Sequence, residues 1–192
     1  MTHTSDWLHL EGAVNARAVV PGVLLRSDNL QSLSEQDVRQ LLECEGVEVV
    51  LDLRTGTEVE LEGPGPLAEC PELRIEHRSL HAESGGRTDL DADTVKLWGH
   101  RDEDGWFAEE TPIVRIYLRY LRHRPDSVVD AVRAIARADG AVLVHCAAGK
   151  DRTGVIVALA LAAAGFDRAT IVADYMATRE RIEEILERLV SS

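Results

Sequence analysis

The stretch H-C-A-A-G-K-D-R-T-G, residues 145–154, decides how the rest of the chain is read. Before it stands the short apolar run A-V-L-V-H-C (141–146), and after it the longer run V-I-V-A-L-A-L-A-A-A (155–164). The first has the length and branching of a buried strand, the second those of a buried helix. A tight turn from strand to helix gathers backbone N–H groups around one point, and the helix N-terminus adds its own unpaired donors and partial positive charge. Gly149 allows the tight turn and Gly154 lets the helix start close to the sheet. Arg152 offers a planar two-pronged donor that matches phosphate oxygens, and Lys150 adds a second cation. The backbone of Ala147, Ala148 and Gly149 completes a cup sized for an anion.

Cys146 stands at the mouth of that cup. Donors and cations of this kind favour a thiolate and bring a cysteine pKa to roughly 3.5–7.5. A thiolate facing a bound phosphoryl group can attack phosphorus to give a phosphocysteine that water later cleaves. Thr153 can hydrogen-bond the sulfur and help it leave. His145 is expected to order the loop rather than act as a base. A nucleotide-binding Gly-x-x-x-x-Gly-Lys-Ser/Thr loop needs a glycine at 144 and a hydroxyl at 151, where the chain has Val144 and Asp151. Zinc ligation by the adjacent pair His145 and Cys146 lacks further ligands, so no metal and no cofactor is expected. A merely structural cysteine leaves the glycines and cations without a purpose.

Outward from the loop, strands alternate with helices. V-V-P-G-V-L-L-R (19–26) reads as an edge strand or hairpin, because Pro-Gly disfavours a central strand. Ser34 caps a helix that stops at Gly46. V-E-V-V-L-D-L (47–53) reads as a buried parallel strand, and 72–80 as a further strand. Helices are expected near 112–123, near 126–138 with Val128, Val129, Val132, Ile135 and Ala136 on one face, and after Asp167. A last amphipathic helix carries Ile182, Ile185, Leu186, Leu189 and Val190 on one side; its acidic run, 181–188, reads as a solvated face. The expected class is therefore α/β: a single domain, 1–192, with a mainly parallel central sheet flanked by helices. Residues 81–111 lack a period and read as a lid-like variable segment. In such sheets ligands bind beyond the carboxyl ends of the strands, where the quoted loop lies.

Composition narrows the partners. The chain has 192 residues, 45% hydrophobic and 29% charged, with a net charge of −13. That field repels nucleic acid and anionic membrane, although converging cations can still bind an anion locally. Three cysteines (Cys44, Cys70, Cys146) without C-x-x-C spacing argue against a disulfide framework and for a reducing compartment. No signal peptide is visible, and the ten-residue apolar run is too short for stable membrane insertion, so a cytoplasmic location is expected.

The stretch resembles the signature of cysteine-dependent protein tyrosine phosphatases: histidine, cysteine, five residues, arginine, then serine or threonine. His145, Cys146, Arg152 and Thr153 match it position by position. The fuller form is similar to a bacterial subfamily of tyrosine and dual-specificity phosphatases, some of which also hydrolyse phosphoinositides. The likeness continues through V-N-A-R (14–17), 21–30, 49–60 and 171–180, with Ala16 and Ala18 where the subfamily often has phenylalanine and aspartate. It implies a tyrosine-phosphatase-like fold and a phosphorylated protein or phosphoinositide as substrate. It also implies a carboxyl group, generally an aspartate, as proton donor. Asp151 is one candidate, with holding Lys150 or accepting loop N–H bonds as its alternative role, and the other carboxyls are Glu83, Asp89, Asp91, Asp93, Asp102 and Asp104 in the lid-like segment.

Arg17, Arg26, Asp52 and Arg54 fall at expected strand ends. They serve either as ion pairs holding the sheet or as substrate contacts, with Arg54 the foremost for phosphate binding. Trp98, Trp106 and Phe107 either wall a pocket for an aryl phosphate or anchor their segment. His77 and His81 read as surface residues. Two rivals stay open: a rhodanese-type sulfurtransferase, which also sets a cysteine in a cationic loop, and a catalytically silent module that binds phosphorylated partners.

Overall fold

The computed structural model describes residues 6–82 and 110–191. Six strands make one mixed sheet: β1 (Asp6–Trp7), β2 (Arg17–Val20), β3 (Leu24–Ser27), β4 (Val47–Asp52), β5 (Arg74–His77) and β6 (Ala141–His145), in the order β1-β2-β3-β6-β4-β5. The pairs β3–β6, β6–β4 and β4–β5 are parallel, whereas β1–β2 and β2–β3 are antiparallel. The strand that enters last in sequence thus lies between β3 and β4, with a parallel neighbour on each side. Ser27, His145, Asp52 and His77 stand in register across one edge of the sheet. The residues that follow them therefore cluster at the carboxyl ends of the strands.

Residues 19–26 form a hairpin, but not at an edge. Pro21 and Gly22 occupy the turn, with Gly22 at φ 70°, so no sheet hydrogen bond is lost to the proline. β3 is consequently free to run fully buried inside the sheet. On β4 a register shift between Val47 and Val49 leaves Glu48 exposed and puts the two valines on opposite faces.

The two faces bury separate cores. On one, Leu24, Val49, Leu51, Val142 and Val144 pack against α3 (Pro112–His123), α4 (Pro125–Arg137) and α5 (Asp151–Ala163). On the other, Leu25, Val50 and Leu143 pack against α1 (Glu35–Arg39, continued by a wider turn over Gln40–Cys44) and the short turn Pro66–Glu69. α2 (Gly56–Glu62) follows β4, and α6 (Arg168–Ala177) and α7 (Ile182–Ser191) close the chain. Alternation along β6, with Leu143 inward to one layer and Val142 and Val144 to the other, joins both cores to one strand. Each fully buried leucine contributes about 1.5–3 kcal/mol by leaving water.

Local signals set the helix ends. Ser34 accepts from Asp37 N while the Asp37 carboxylate accepts from Ser34 N, a capping box. Two amphipathic readings need correction. On α4 the buried residues are Ser127, Val128 and Ala131, while Val129 and Ala136 face outward. On α7 only Ile185 is fully buried, and Leu186 and Val190 are exposed. Counting apolar positions finds a helix but not which of them its neighbours cover. The segment expected at 81–111 lies, apart from 81, 82, 110 and 111, outside the described residues, and with it Glu83, the five aspartates, Trp98, Trp106 and Phe107. No helix among the described residues is long and apolar enough to cross a membrane.

Candidate active site

β6 ends at His145 and α5 begins at Asp151, so Cys146–Lys150 form the turn between sheet and helix. Gly149 sits at φ 64°, and a Cβ there would lie 2.4 Å from the Ser27 carbonyl oxygen. Both facts exclude a side chain. At Gly154 the close neighbour is the Tyr175 ring of α6, 2.9 Å from where a Cβ would stand. The glycine therefore admits a tyrosine from the next helix, rather than bringing α5 onto the sheet.

Cys146 is buried, 1% exposed. The Thr153 hydroxyl donates to its sulfur at 3.2 Å, and the Gly149 and Thr153 amides bond it as well. Burial pushes the Cys146 thiol up; the three donors pull it down, and the charge of Asp151 adds to the upward push. Burial wins, which reverses the low value expected from the sequence. The sign is testable by alkylation with neutral iodoacetamide. Because only the thiolate reacts, the rate should keep rising beyond pH ~8.5, the ordinary thiol midpoint. A plateau below pH 7 would contradict the geometry.

Arg152 is buried at the first turn of α5 and meets a partner the sequence reading missed. Its Nη1 and Nη2 donate to Glu58 Oε2 and Oε1 at 2.8 and 2.9 Å, and Nη1 also donates to the Leu53 carbonyl at 3.1 Å. Glu58 is itself fixed by the cap of α2. The Thr55 amide donates to Glu58 Oε2 at 2.5 Å, and the Glu58 amide donates to Thr55 Oγ1 at 3.2 Å. Thr-x-x-Glu is a capping signature legible in the sequence at 55–58. Its side chain serves two purposes: it starts a helix and it orients the arginine.

Asp52 and Arg54 lie beside this pair. Arg54 is fully buried and donates to Asp52 through Nε and Nη2, to Glu62 through Nη1 at 3.0 Å and to the Gly63 carbonyl at 3.2 Å. Its guanidinium thus braces the end of β4. His145 Nε2 lies 3.6 Å from Asp52 Oδ1, and burial outweighs that carboxylate to hold the imidazole below its usual value, neutral. His77 Nε2 bonds the Arg54 carbonyl oxygen at 2.6 Å, although the residue is exposed.

Burial alone would push the Asp52 and Glu58 carboxyls up, yet their cationic partners and hydrogen bonds hold both below the usual carboxylate range. A lowered folded-state pKa is stability fully present above the unfolded value, about 4, and lost progressively below it as pH falls through the folded-state value. Thermal melts should therefore lose stability steeply below pH ~4. Glu58→Gln should show a lower melting temperature at pH 7 and a shallower acid loss. An unchanged acid slope would show that this pair carries none of it.

Asp151 is half-buried. Its Oδ1 accepts from the Tyr117 hydroxyl of α3 and lies 3.5 Å from Lys150 Nζ. Tyr117 OH also bonds Tyr175 OH at 2.6 Å. Burial, with Asp151 beside it, pushes the Tyr117 phenol well above its usual value, so it stays protonated. No sequence pattern pointed to either tyrosine, because they come from helices on either side of α5. No group of three or more histidines, cysteines or acidic residues among the described residues is placed to hold a metal ion.

A buried cysteine, an arginine six residues on and the donors that bond the sulfur meet at the turn between β6 and α5. Comparison with known proteins gives the family. The tyrosine phosphatase family model matches residues 9–192. The chain is 30% identical to the triple specificity protein phosphatase PtpB of Mycobacterium tuberculosis over 195 residues, 95% of this chain and 70% of that one. It is 32% identical to a tyrosine-protein phosphatase of Nostoc commune over 172 residues, 89% of this chain and 53% of that one. Among solved structures, Pseudomonas aeruginosa TpbA aligns with a TM-score of 0.45 at 17% identity, covering 90% of this chain and 77% of that chain. The chain belongs to the tyrosine phosphatase family. The sulfurtransferase alternative falls with that membership.

Proposed function

We propose that the chain hydrolyses phosphotyrosine through a phosphocysteine intermediate, and that it extends to phosphoserine, phosphothreonine or phosphoinositides. The observation that carries this reading is the Cys146 sulfur enclosed by loop amides next to an arginine locked by Glu58. The thiolate fraction of Cys146 attacks phosphorus; the S–P bond forms as the P–O ester bond breaks and the ester oxygen leaves. Arg152 and the backbone amides of 148–151 in the turn that runs from Ala147 to Asp151 hold the transition-state oxygens, a role in which each preorganised donor contributes about 2.7–4 kcal/mol. Asp151 donates the proton to the leaving oxygen. Water then attacks the phosphocysteine, Asp151 accepts its proton, and the Thr153 hydroxyl stabilises the departing thiolate. Lys150 sits at the rim for a further anionic group, while Arg54, His145 and Gly154 support the loop.

The names of the relatives support the breadth of this substrate range, one being a triple specificity phosphatase and the other a tyrosine-protein phosphatase. The reading takes 1–192 as one phosphatase domain with 81–111 as its lid. It places the chain in the cytoplasm, where its three free cysteines would stay reduced. Nucleic acid is not among its partners, given the charge of −13. The test is a panel of phosphotyrosine peptide, phosphoserine peptide and phosphoinositides with chelator present. Turnover of the phosphotyrosine peptide supports the reading; binding without turnover of any member returns the chain to a silent binding module. The acid has its own test. Asp151→Asn should lower kcat by about 10²–10⁴ for poor leaving groups and far less for good ones such as nitrophenol. Equal loss for both would move the acid elsewhere.

A further inference from the structure

In a planar trans peptide the carbonyl of one residue and the N–H of the next point in opposite directions. Whatever grips the outer carbonyls of the turn therefore aims its amides inward. Three successive carbonyls of the catalytic turn, those of 147–149, are gripped from behind, and the fourth, Lys150 O, chiefly accepts the first bond of α5 from Gly154 N at 3.0 Å. Ala147 O accepts from the Asn29 amide at 2.9 Å, and Ala148 O from Asn15 Nδ2 at 3.0 Å. Gly149 O accepts from Arg26 Nη2 at 2.6 Å, and Lys150 O from the same nitrogen at 3.4 Å. The amides turned inward are then those of residues 148–151, and that of Gly149 is one of the two that bond the Cys146 sulfur.

The gripping groups are held in turn. Asn15, Arg17 and Arg26 are each 0% exposed. Asp174 of α6 takes Arg26 through Oδ2 and Arg17 Nε through Oδ1, the latter at 3.1 Å. Arg17 also donates to Asn15 Oδ1 at 2.7 Å, to the Asp174 carbonyl at 2.8 Å and to Thr178 Oγ1 at 3.1 Å. The Arg17–Asn15 bond fixes which end of the Asn15 amide faces the loop: the oxygen is used by Arg17, so the nitrogen must meet Ala148 O. Two buried arginines share one carboxylate behind the cup. Burial and the Arg26 charge lower Arg17 to about 10, still protonated at neutral pH.

We propose that Asn15 and Arg26 are positioning residues that hold the anion cup preformed by gripping the outer carbonyls of Ala148 and Gly149, with Arg17 and Asp174 as their frame. The proposal deepens the phosphatase reading and rests on it, but its test needs no turnover. Asn15→Asp keeps an acceptor for Arg17 and removes the donor to Ala148 O. Arg26→Lys keeps the charge and loses the fork. In both, the inhibition constant of inorganic phosphate, or its dissociation constant if turnover is absent, should rise at least about tenfold, and kcat/KM fall by about 10² from the misplaced amides. The rate of Cys146 alkylation by iodoacetate, whose carboxylate docks in the cup, should drop relative to neutral iodoacetamide. A purely structural role would lower the melting temperature and leave that ratio unchanged.

Folded variants with wild-type phosphate affinity and an unchanged ratio would overturn the proposal. Should neither variant fold, the wild type decides by hydrogen exchange. A preformed cup predicts that amides 148–151 are protected almost equally with and without phosphate. Strong protection appearing only with phosphate would show that the ligand, not the clamp, builds the cup. Loss of turnover in the wild type would sink the phosphatase reading alone, since phosphate binding and the alkylation ratio would still report on the clamp.

Discussion

Cys146→Ser should abolish hydrolysis of an aryl phosphate, with a loss of at least about 10⁴-fold in kcat, while phosphate still binds. The size follows from the role. When a covalent nucleophile is removed, what remains is the catalysis of the surrounding donors alone, and losses of about 10⁶ are known for such groups. Binding should survive because serine fits where the sulfur stood and leaves the turn intact. The Gly149 and Thr153 amides and the Thr153 hydroxyl, which now bond the sulfur, would bond the serine oxygen. Steady-state assays and calorimetry with phosphate separate the two effects. Residual activity within a hundredfold of wild type would assign the nucleophile to another residue.

The second large effect is expected at Arg152. Arg152→Lys keeps the positive charge but cannot reproduce two parallel hydrogen bonds to Glu58 together with a planar face toward the substrate. The expected outcome is a fall in kcat/KM of about 10²–10³, most of it in kcat if the guanidinium engages the transition state more strongly than the bound ester. Glu58 would then be left buried, 1% exposed, against an ammonium that cannot fill both of its oxygens. Glu58→Gln offers the complementary view. It leaves the arginine chemically intact and removes the charge that orients it, so it should lose less activity than Arg152→Lys. Equal losses would mean that Arg152 acts only through its pair with Glu58.

Much of this is legible in the sequence alone. The alternation of branched strands and helices places Cys146 at a strand end, and the turn residues Gly149 and Gly154 mark where backbone or ring comes close. Pro21-Gly22 marked the hairpin, but its place inside the sheet was hidden, because β6, the strand that covers β3, lies more than a hundred residues away in sequence. Sequence separation also hides Glu58 from Arg152, 94 residues apart, and Tyr117 from Asp151, 34 apart. Those contacts depend on which helix follows which strand, not on any local period. The direction of the Cys146 pKa is hidden for a different reason. A motif lists the donors around a sulfur, but it does not give the depth of burial, and here depth outweighs them.

The account turns on a covalent bond between phosphorus and one sulfur. The most direct measurement is rapid acid quenching of the enzyme during turnover of an aryl phosphate, followed by peptide mapping by mass. The account predicts a phosphoryl group on the peptide that contains Cys146, absent when residue 146 is serine. Turnover at full rate with no phosphoryl group on Cys146, or with the group on another side chain, would contradict it.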